Sequence, residues 1–278
     1  MSNLIKELDS LKVEVPDGRF VLPGSQEEIF FKPFTTADQK AMLKSMEKRD
    51  YELIQECFDK VLKKCVVNED FEPTKLYKQD REALLIELRR NSVKEEYNHT
   101  WICKNMINDP EDDWAPEKKC GYENKEMILL KDLDYEDLNE KLKTVKIKMT
   151  SYNISLVIGN TTRLDEKLIY KYTKDNSKDM KKGTKSTSEL LLATIASTIK
   201  SIEFPPKEEG GEIRLIENPD FEDKIGILNK LSVDDRNKII SEIDKQEKCG
   251  FNLKYTFGCK SCKHESEHVL DWMYFFGM

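Results

Sequence analysis

The sequence predicts an α+β fold, mainly helical, in which a strand–helices–cysteine-hairpin unit occurs twice with a pseudo-two-fold relation. Three observations predict it. Apolar residues recur at helical spacing over several long stretches. Short alternating segments, punctuated by Pro and Gly, stand before and after them. Two stretches about 155 residues apart read against each other with their cysteines in register.

The chain opens as extended segments. Residues 12–15 alternate, Pro16-Asp17-Gly18 is a turn signal, and Phe20 to Leu22 resumes before Pro23-Gly24. A strand is expected over 29–34, closed by Pro33. Thr35-Thr36-Ala37-Asp38 has the residues of a helix start. From 39 to 66 the apolar positions Met42, Leu43, Met46, Leu53, Ile54, Cys57, Phe58, Val61, Leu62 and Cys65 follow a helical period. A break at Arg49-Asp50 should divide the stretch into two helices. A third helix is expected over 80–90, and short strands should flank Cys103 and Cys120.

The second half begins with an extended stretch over 145–157 and a helix over 164–173. Residues 174–188 carry almost no apolar side chain and read as a solvated loop. Helices are expected over 189–202, 221–231 and 234–247, with Ser232 capping the last. The final segment is built around Cys259 and Cys262 and ends in aromatics. The expected organisation is an extended segment over 1–30, a first repeat over 31–140 and a second over 141–278.

The internal likeness is carried by specific residues. Asp80-Arg81-Glu82-Ala83-Leu84-Leu85-Ile86-Glu87-Leu88 reads against Asp235-Arg236-Asn237-Lys238-Ile239-Ile240-Ser241-Glu242-Ile243. Cys103 follows Asp80 by 23 residues, and Cys259 follows Asp235 by 24. The approaches Thr100-Trp101-Ile102-Cys103-Lys104 and Thr256-Phe257-Gly258-Cys259-Lys260 match as well. Thr35-Thr36 and Thr161-Thr162 each precede a helix. Such a period implies a pseudo-dimer rather than a solenoid.

Charge and hydropathy exclude several classes. The 46 Lys+Arg are outnumbered by 53 Asp+Glu, for a net charge of −7, which argues against a protein that coats nucleic acid. No apolar run approaches the roughly 20 residues of a membrane span. The first 11 residues lack the apolar centre of a signal peptide, so the seven cysteines are expected as reduced or metal-bound thiols.

Each repeat supplies two thiols from a strand–turn–strand: Cys259-x2-Cys262 in the second and Cys103…Cys120 in the first, where an insertion opens the turn. Two such hairpins facing each other would give a four-sulfur tetrahedral zinc site of Cys103, Cys120, Cys259 and Cys262. Four thiolates leave no open position, so the metal would be structural. The alternatives are reduced thiols that hold the hairpins by packing alone, and a redox pair. The redox pair is disfavoured because CxxC here lies between strands and not at a helix N-terminus. His264 could replace a missing thiol, but His264 and His268 are expected on the exposed side of the last hairpin. Cys57, Cys65 and Cys249 read as small packed residues.

No phosphate loop, dinucleotide fingerprint, nucleophile elbow or HExxH stretch is present, so no catalytic or cofactor-binding residue is assigned. The lysines of 174–185 read as part of a solvated loop. Trp114, in the insertion over 105–119, has the setting of a projecting contact loop or of an idle one. The aromatic end, 269–276, reads as a buried closing strand or as an anchor for a partner.

Together these residues resemble a known family. Phe30-Phe31-Lys32-Pro33-Phe34-Thr35-Thr36 opens a helical segment. The stretches 52–66 and 80–92, two cysteine hairpins and an aromatic end follow. The pattern, from about Phe20 onward, is similar to the baseplate hub subunit and assembly family of T-even-type contractile-tailed bacteriophages (myoviruses). The resemblance implies a structural or assembly protein of the tail baseplate, in the hub or wedge region. It would act through contacts with other tail proteins, be present in one or several copies, and have no enzymatic activity. Its location would be the virion baseplate, or the host cytoplasm during assembly. A zinc-ribbon adaptor for nucleic acid or the transcription machinery is the alternative. It requires a basic face around the hairpins, where Lys104, Lys260 and Lys263 instead sit beside Glu123, Glu265 and Glu267.

Overall fold

The computed structural model describes residues 18–93, 96–107, 118–136, 144–176, 187–206, 211–246, 250–270 and 276. The segment 12–15, Trp114, Cys249, 177–186 and 271–275 lie outside the described residues. Helices and antiparallel sheets alternate along the chain, so the class is α+β.

The first half opens with a hairpin of β1 (Gly18–Val21) and β2 (Glu28–Phe31). The strand expected to reach 34 stops at Phe31. The amide of Lys32 instead donates to the Cys65 carbonyl, and Phe31 bridges Val66. Helix α1 (Thr36–Glu47) is started by a capping box. Thr35 Oγ1 accepts from the Asp38 amide at 3.3 Å, and the Asp38 carboxylate accepts from the Thr35 amide at 2.9 Å. Arg49 at φ 53° ends the run, and Asp50 caps α2 (Tyr51–Cys65) at the predicted break. Helix α3 (Lys78–Ser92) follows. A two-stranded ribbon comes next, β3 (Glu96–Ile102) against β6 (Glu123–Leu129). The insertion between them begins as a small stem of β4 (Met106–Ile107) and β5 (Lys118–Lys119). β7 (Tyr135–Glu136) closes this half.

The second half is built on a four-stranded sheet and four helices. A hairpin of β8 (Thr144–Lys148) and β9 (Ser155–Gly159) is followed by α4 (Arg163–Asn176) and α5 (Thr187–Thr198). Strand β10 (Ile199–Phe204) returns beside β9, and β11 (Arg214–Glu217) completes a sheet ordered β11-β10-β9-β8. Helix over 189–202 was the expectation, but the helix ends at Thr198. There Ser197 and Thr198 donate their hydroxyls to the carbonyls of Thr194 and Ile195, and Ile199 pairs with Ile158. Apolar periodicity does not separate a buried strand from the last turn of a buried helix. Helices α6 (Phe221–Leu228) and α7 (Val233–Gln246) follow, with the Ser232 hydroxyl accepting from the Asp235 amide at 3.2 Å. Strand β12 (Gly250–Phe251) pairs with β7, and the last ribbon joins β13 (Lys254–Gly258) to β14 (Glu265–Val269).

Two cores form. The second packs Ile147, Leu156, Ile158, Ile199, Ile202 and Ile239 between sheet and helices. The first packs Leu22, Ile29, Phe31, Phe58, Leu62 and Leu84, but it also takes in Leu270 and Phe276 from the far end of the chain. Phe276 is fully buried, with its ring 5.1 Å from that of Phe58 and 5.9 Å from that of Phe34. Its side chain therefore closes the first core, while Val269 is exposed and the rest of the expected closing strand, 271–275, lies outside the described residues. The last ribbon is thus drawn back onto the first half, where its inner residues Tyr255 and Phe257 also pack.

Candidate metal centre

Both ribbons turn at their cysteines. Cys103 follows β3 and Cys120 precedes β6. The two are held across the open insertion by Cys103 N–H to the Tyr122 carbonyl at 2.9 Å, Gly121 N–H to the Cys103 carbonyl at 3.1 Å and Cys120 N–H to the Asn105 carbonyl at 2.8 Å. Gly121, at φ 66°, takes the left-handed conformation that this return requires. In the other ribbon Cys259 N–H donates to the His264 carbonyl and Lys263 N–H to the Cys259 carbonyl, both at 2.9 Å, with Lys263 at φ 63°. The result is a tight turn that aims both sulfurs the same way.

The inner faces of the ribbons stack aromatic on aromatic. Trp101 lies 4.5 Å from the His268 ring, and His99 lies 5.5 Å from Phe257 and 5.2 Å from His268. His264 is exposed, as expected, but His268 is half-buried in this stack. It shares the inward phase of β14 with Ser266 and Leu270, whereas His264 sits in the turn outside the alternation.

The stack sets the four sulfurs together. Cys103 Sγ and Cys262 Sγ are 3.6 Å apart, Cys120 Sγ and Cys259 Sγ are 3.8 Å apart, and all four lie within 4.8 Å of one another. A zinc ion bonded to four sulfurs at about 2.3 Å requires a sulfur–sulfur edge of roughly 3.8 Å. Both short contacts join one ribbon to the other, so a metal here would tie residues more than 130 positions apart, as the 139 separating Cys120 from Cys259 illustrate.

The surroundings prepare these thiols unequally. Burial pushes the Cys259 thiol up, but the amides of Cys262 and Ser261 and the side chain of Asn124 outweigh it and bring it to about 6. The His264 amide lowers Cys262. Burial, reinforced by the three neighbouring thiols, pushes Cys103 up to about 12. Four thiols this close cannot all ionise without a cation among them, and the donor set is compatible with a metal site.

Cys57 and Cys65 lie on α2, half-buried and buried, away from this cluster; burial pushes the Cys65 thiol up to about 11. Two residues in contact with the sulfurs escaped the sequence reading. Asn105 Nδ2 lies 3.8 Å from Cys262 Sγ, and Asn124 Nδ2 lies 3.5 Å from Cys259 Sγ. A signal existed for Asn124: it is a polar residue at an inward position of a strand, directly opposite Trp101.

The comparisons agree with the resemblance in the sequence. No curated protein and no solved structure matches the chain. A family model described as T4 bacteriophage base plate protein matches residues 15–276. That match spans both halves and both cysteine ribbons, and the chain belongs to the T4-type phage baseplate protein family.

Proposed function

We propose that this protein is a structural or assembly component of the hub or wedge region of a contractile-tail baseplate, acting by contacts with other tail proteins and without catalysis. The family match over 15–276 carries the reading. We also propose that its halves, 31–140 and 141–278, are copies of one unit, and that Cys103, Cys120, Cys259 and Cys262 hold a structural zinc ion that clasps them.

Pairs of equivalent residues support the duplication. Asp80, at the start of α3, accepts from the Gly24 and Ser25 amides in the turn of the first hairpin. Asp235, at the start of α7, accepts from the Thr150 and Ser151 amides in the turn of the third-quarter hairpin β8–β9. Thr162 and Asp165 start α4 with the hydrogen bonds that Thr35 and Asp38 make for α1. Lys64 then pairs with Asp38, and Lys200 with Asp165. The cysteine contacts obey the same exchange: swapping Cys103 for Cys259 and Cys120 for Cys262 turns one short sulfur pair into the other.

The surroundings of the sulfurs disfavour the nucleic-acid adaptor. Of the two lysines in the turn, Lys260 is engaged by Glu126 at 3.1 Å and by the Lys125 carbonyl, and Lys263 donates to the Lys260 carbonyl. Mass spectrometry of purified virions beside infected-cell extract tests the role. A baseplate component is expected in the particle; its presence in the extract alone would overturn the structural reading in favour of a factor that leaves before the tail is complete.

A further inference from the structure

The two ribbons meet the sulfurs on different terms. Each ribbon gives its own sulfurs backbone amides, Ser261 and Cys262 to Cys259 and Asn105 to Cys103, but among the described residues only the first adds side chains. The first ribbon reaches across with side chains: Asn124 Nδ2 to Cys259 Sγ at 3.5 Å and Asn105 Nδ2 to Cys262 Sγ at 3.8 Å. Each sulfur of the second ribbon thus receives one carboxamide from the first.

Asn124 is fully buried and its orientation is fixed by its neighbours. Its Oδ1 accepts the Lys260 amide at 2.9 Å, and its Nδ2 also donates to the Tyr122 carbonyl at 3.2 Å. A backbone amide can only donate and a carbonyl can only accept, so a flipped carboxamide would lose both bonds. One side chain therefore joins three things: the exit of its own ribbon, the turn of the other, and the Cys259 sulfur.

The second ribbon has no such residue. Asn124 pairs with Trp101, two residues before Cys103; Ser266 pairs with Phe257, two residues before Cys259. Ser266 is thus the positional twin of Asn124, and its hydroxyl is engaged with His268 Nε2 at 2.8 Å. Asn105, two residues after Cys103, has Ser261 as its counterpart.

We propose that Asn124, seconded by Asn105, is a positioning residue of the metal centre and makes the clasp directional. The first ribbon supplies side-chain donors to the thiolates of the second, so the site closes between unlike ribbons of one chain. The inference rests on the four-cysteine metal reading. Its physical basis is general: four thiolates around a dication leave two negative charges in a buried site, and N–H donors to sulfur disperse them.

The test uses the full chain loaded with zinc, and separately with cobalt(II), as wild type, N124S, N124D and N105S. N124S installs the residue of the twin ribbon. Zinc transfer to a coloured chelator should be about tenfold faster or more for N124S. It should be faster still for N124D, which removes the N–H donor and adds a negative charge. In the cobalt form, the sulfur-to-metal charge-transfer band should move to lower energy in both, because a sulfur relieved of its hydrogen bond is a better electron donor. An N124S chain that binds one metal, releases it at the wild-type rate and keeps the band in place overturns the inference while leaving the metal site standing. A wild-type chain that takes up no metal overturns both. If N124S does not fold, N105S decides: the same changes, smaller, support the inference, and their absence overturns it.

Discussion

Asp80 and Asp235 occupy matching places, and their chemistry differs because their partners do. Both are fully buried at a helix start, under the turn of a hairpin. Burial pushes the Asp80 carboxyl up, and the Gly24 and Ser25 donors only partly offset it. Burial also pushes at Asp235, but the Ser151 and Thr150 hydroxyls and amides win and hold it well below the usual carboxylate range. The linkage signs are therefore opposite. Asp235 contributes stability above the unfolded carboxylate value near 3.9, and that contribution is lost as pH falls through its lower folded value. Asp80 favours the folded chain at low pH, and that contribution falls as pH rises from about 3.9 through its raised folded value. D235N leaves an amide donor facing the Ser151 amide and hydroxyl. It should cost on the order of 3 kcal/mol at pH 7 in urea unfolding. The deficit should shrink toward pH 3, and D80N should cost less. An equal cost for both at pH 7 would contradict this assignment of partners.

At the scale of elements, the helix starts were legible and the strand ends were not. Ser232 caps the helix that the sequence assigns to it, Thr35 caps the helix at the expected start over 35–38, and Asp50 caps α2 at the expected break, because a capping hydroxyl or carboxylate acts on residues two or three positions away. The strand β10 was hidden inside an expected helix, because Ile199 and Ile202 earn their place from β9, which lies 40 residues earlier. The proposed likeness of the halves rests in the sequence on the cysteines and on Asp80 and Asp235. The identity of the two asparagines was not, since their partners lie on the other ribbon. The ribbons themselves are two-stranded, a form with little stability of its own. Chelation of the metal should therefore speed amide hydrogen exchange over 96–102, 123–129, 254–258 and 265–269, while 155–159 and 199–204 keep their protection. Uniform loss across both sets, or no change in the ribbons, would contradict a clasp that acts locally.

At the scale of the whole molecule, the halves meet a second time, far from the sulfurs in sequence. The Arg163 side chain, 0% exposed at the start of α4, reaches Glu52 at 2.6 Å and Asp59 at 3.3 Å on α2. Asp59 in turn holds Arg81 at 2.9 Å, and Lys78 N–H donates to the Thr161 carbonyl at 3.0 Å alongside. This contact breaks the exchange symmetry that the cysteines obey: relative to the capping boxes, Thr36 stands where the second half has Arg163. Periodicity could not reveal it, because a buried ion network is written in residues that ordinarily mark a solvated surface. R163A takes the guanidinium from Glu52 and Glu166 and leaves Asp59 to Arg81 alone at a dry junction, and should cost about 3–5 kcal/mol in urea unfolding. A double-mutant cycle with D59N should recover part of that cost; strict additivity would place the two groups in separate environments. Ion network and sulfur cluster are two contacts between residues far apart in the chain. Zinc K-edge X-ray absorption on the purified full chain tests the sulfur clasp most directly. The account predicts one zinc per chain with four sulfur neighbours at about 2.3 Å; a chain without zinc, or zinc in a shell of nitrogen and oxygen, would contradict it.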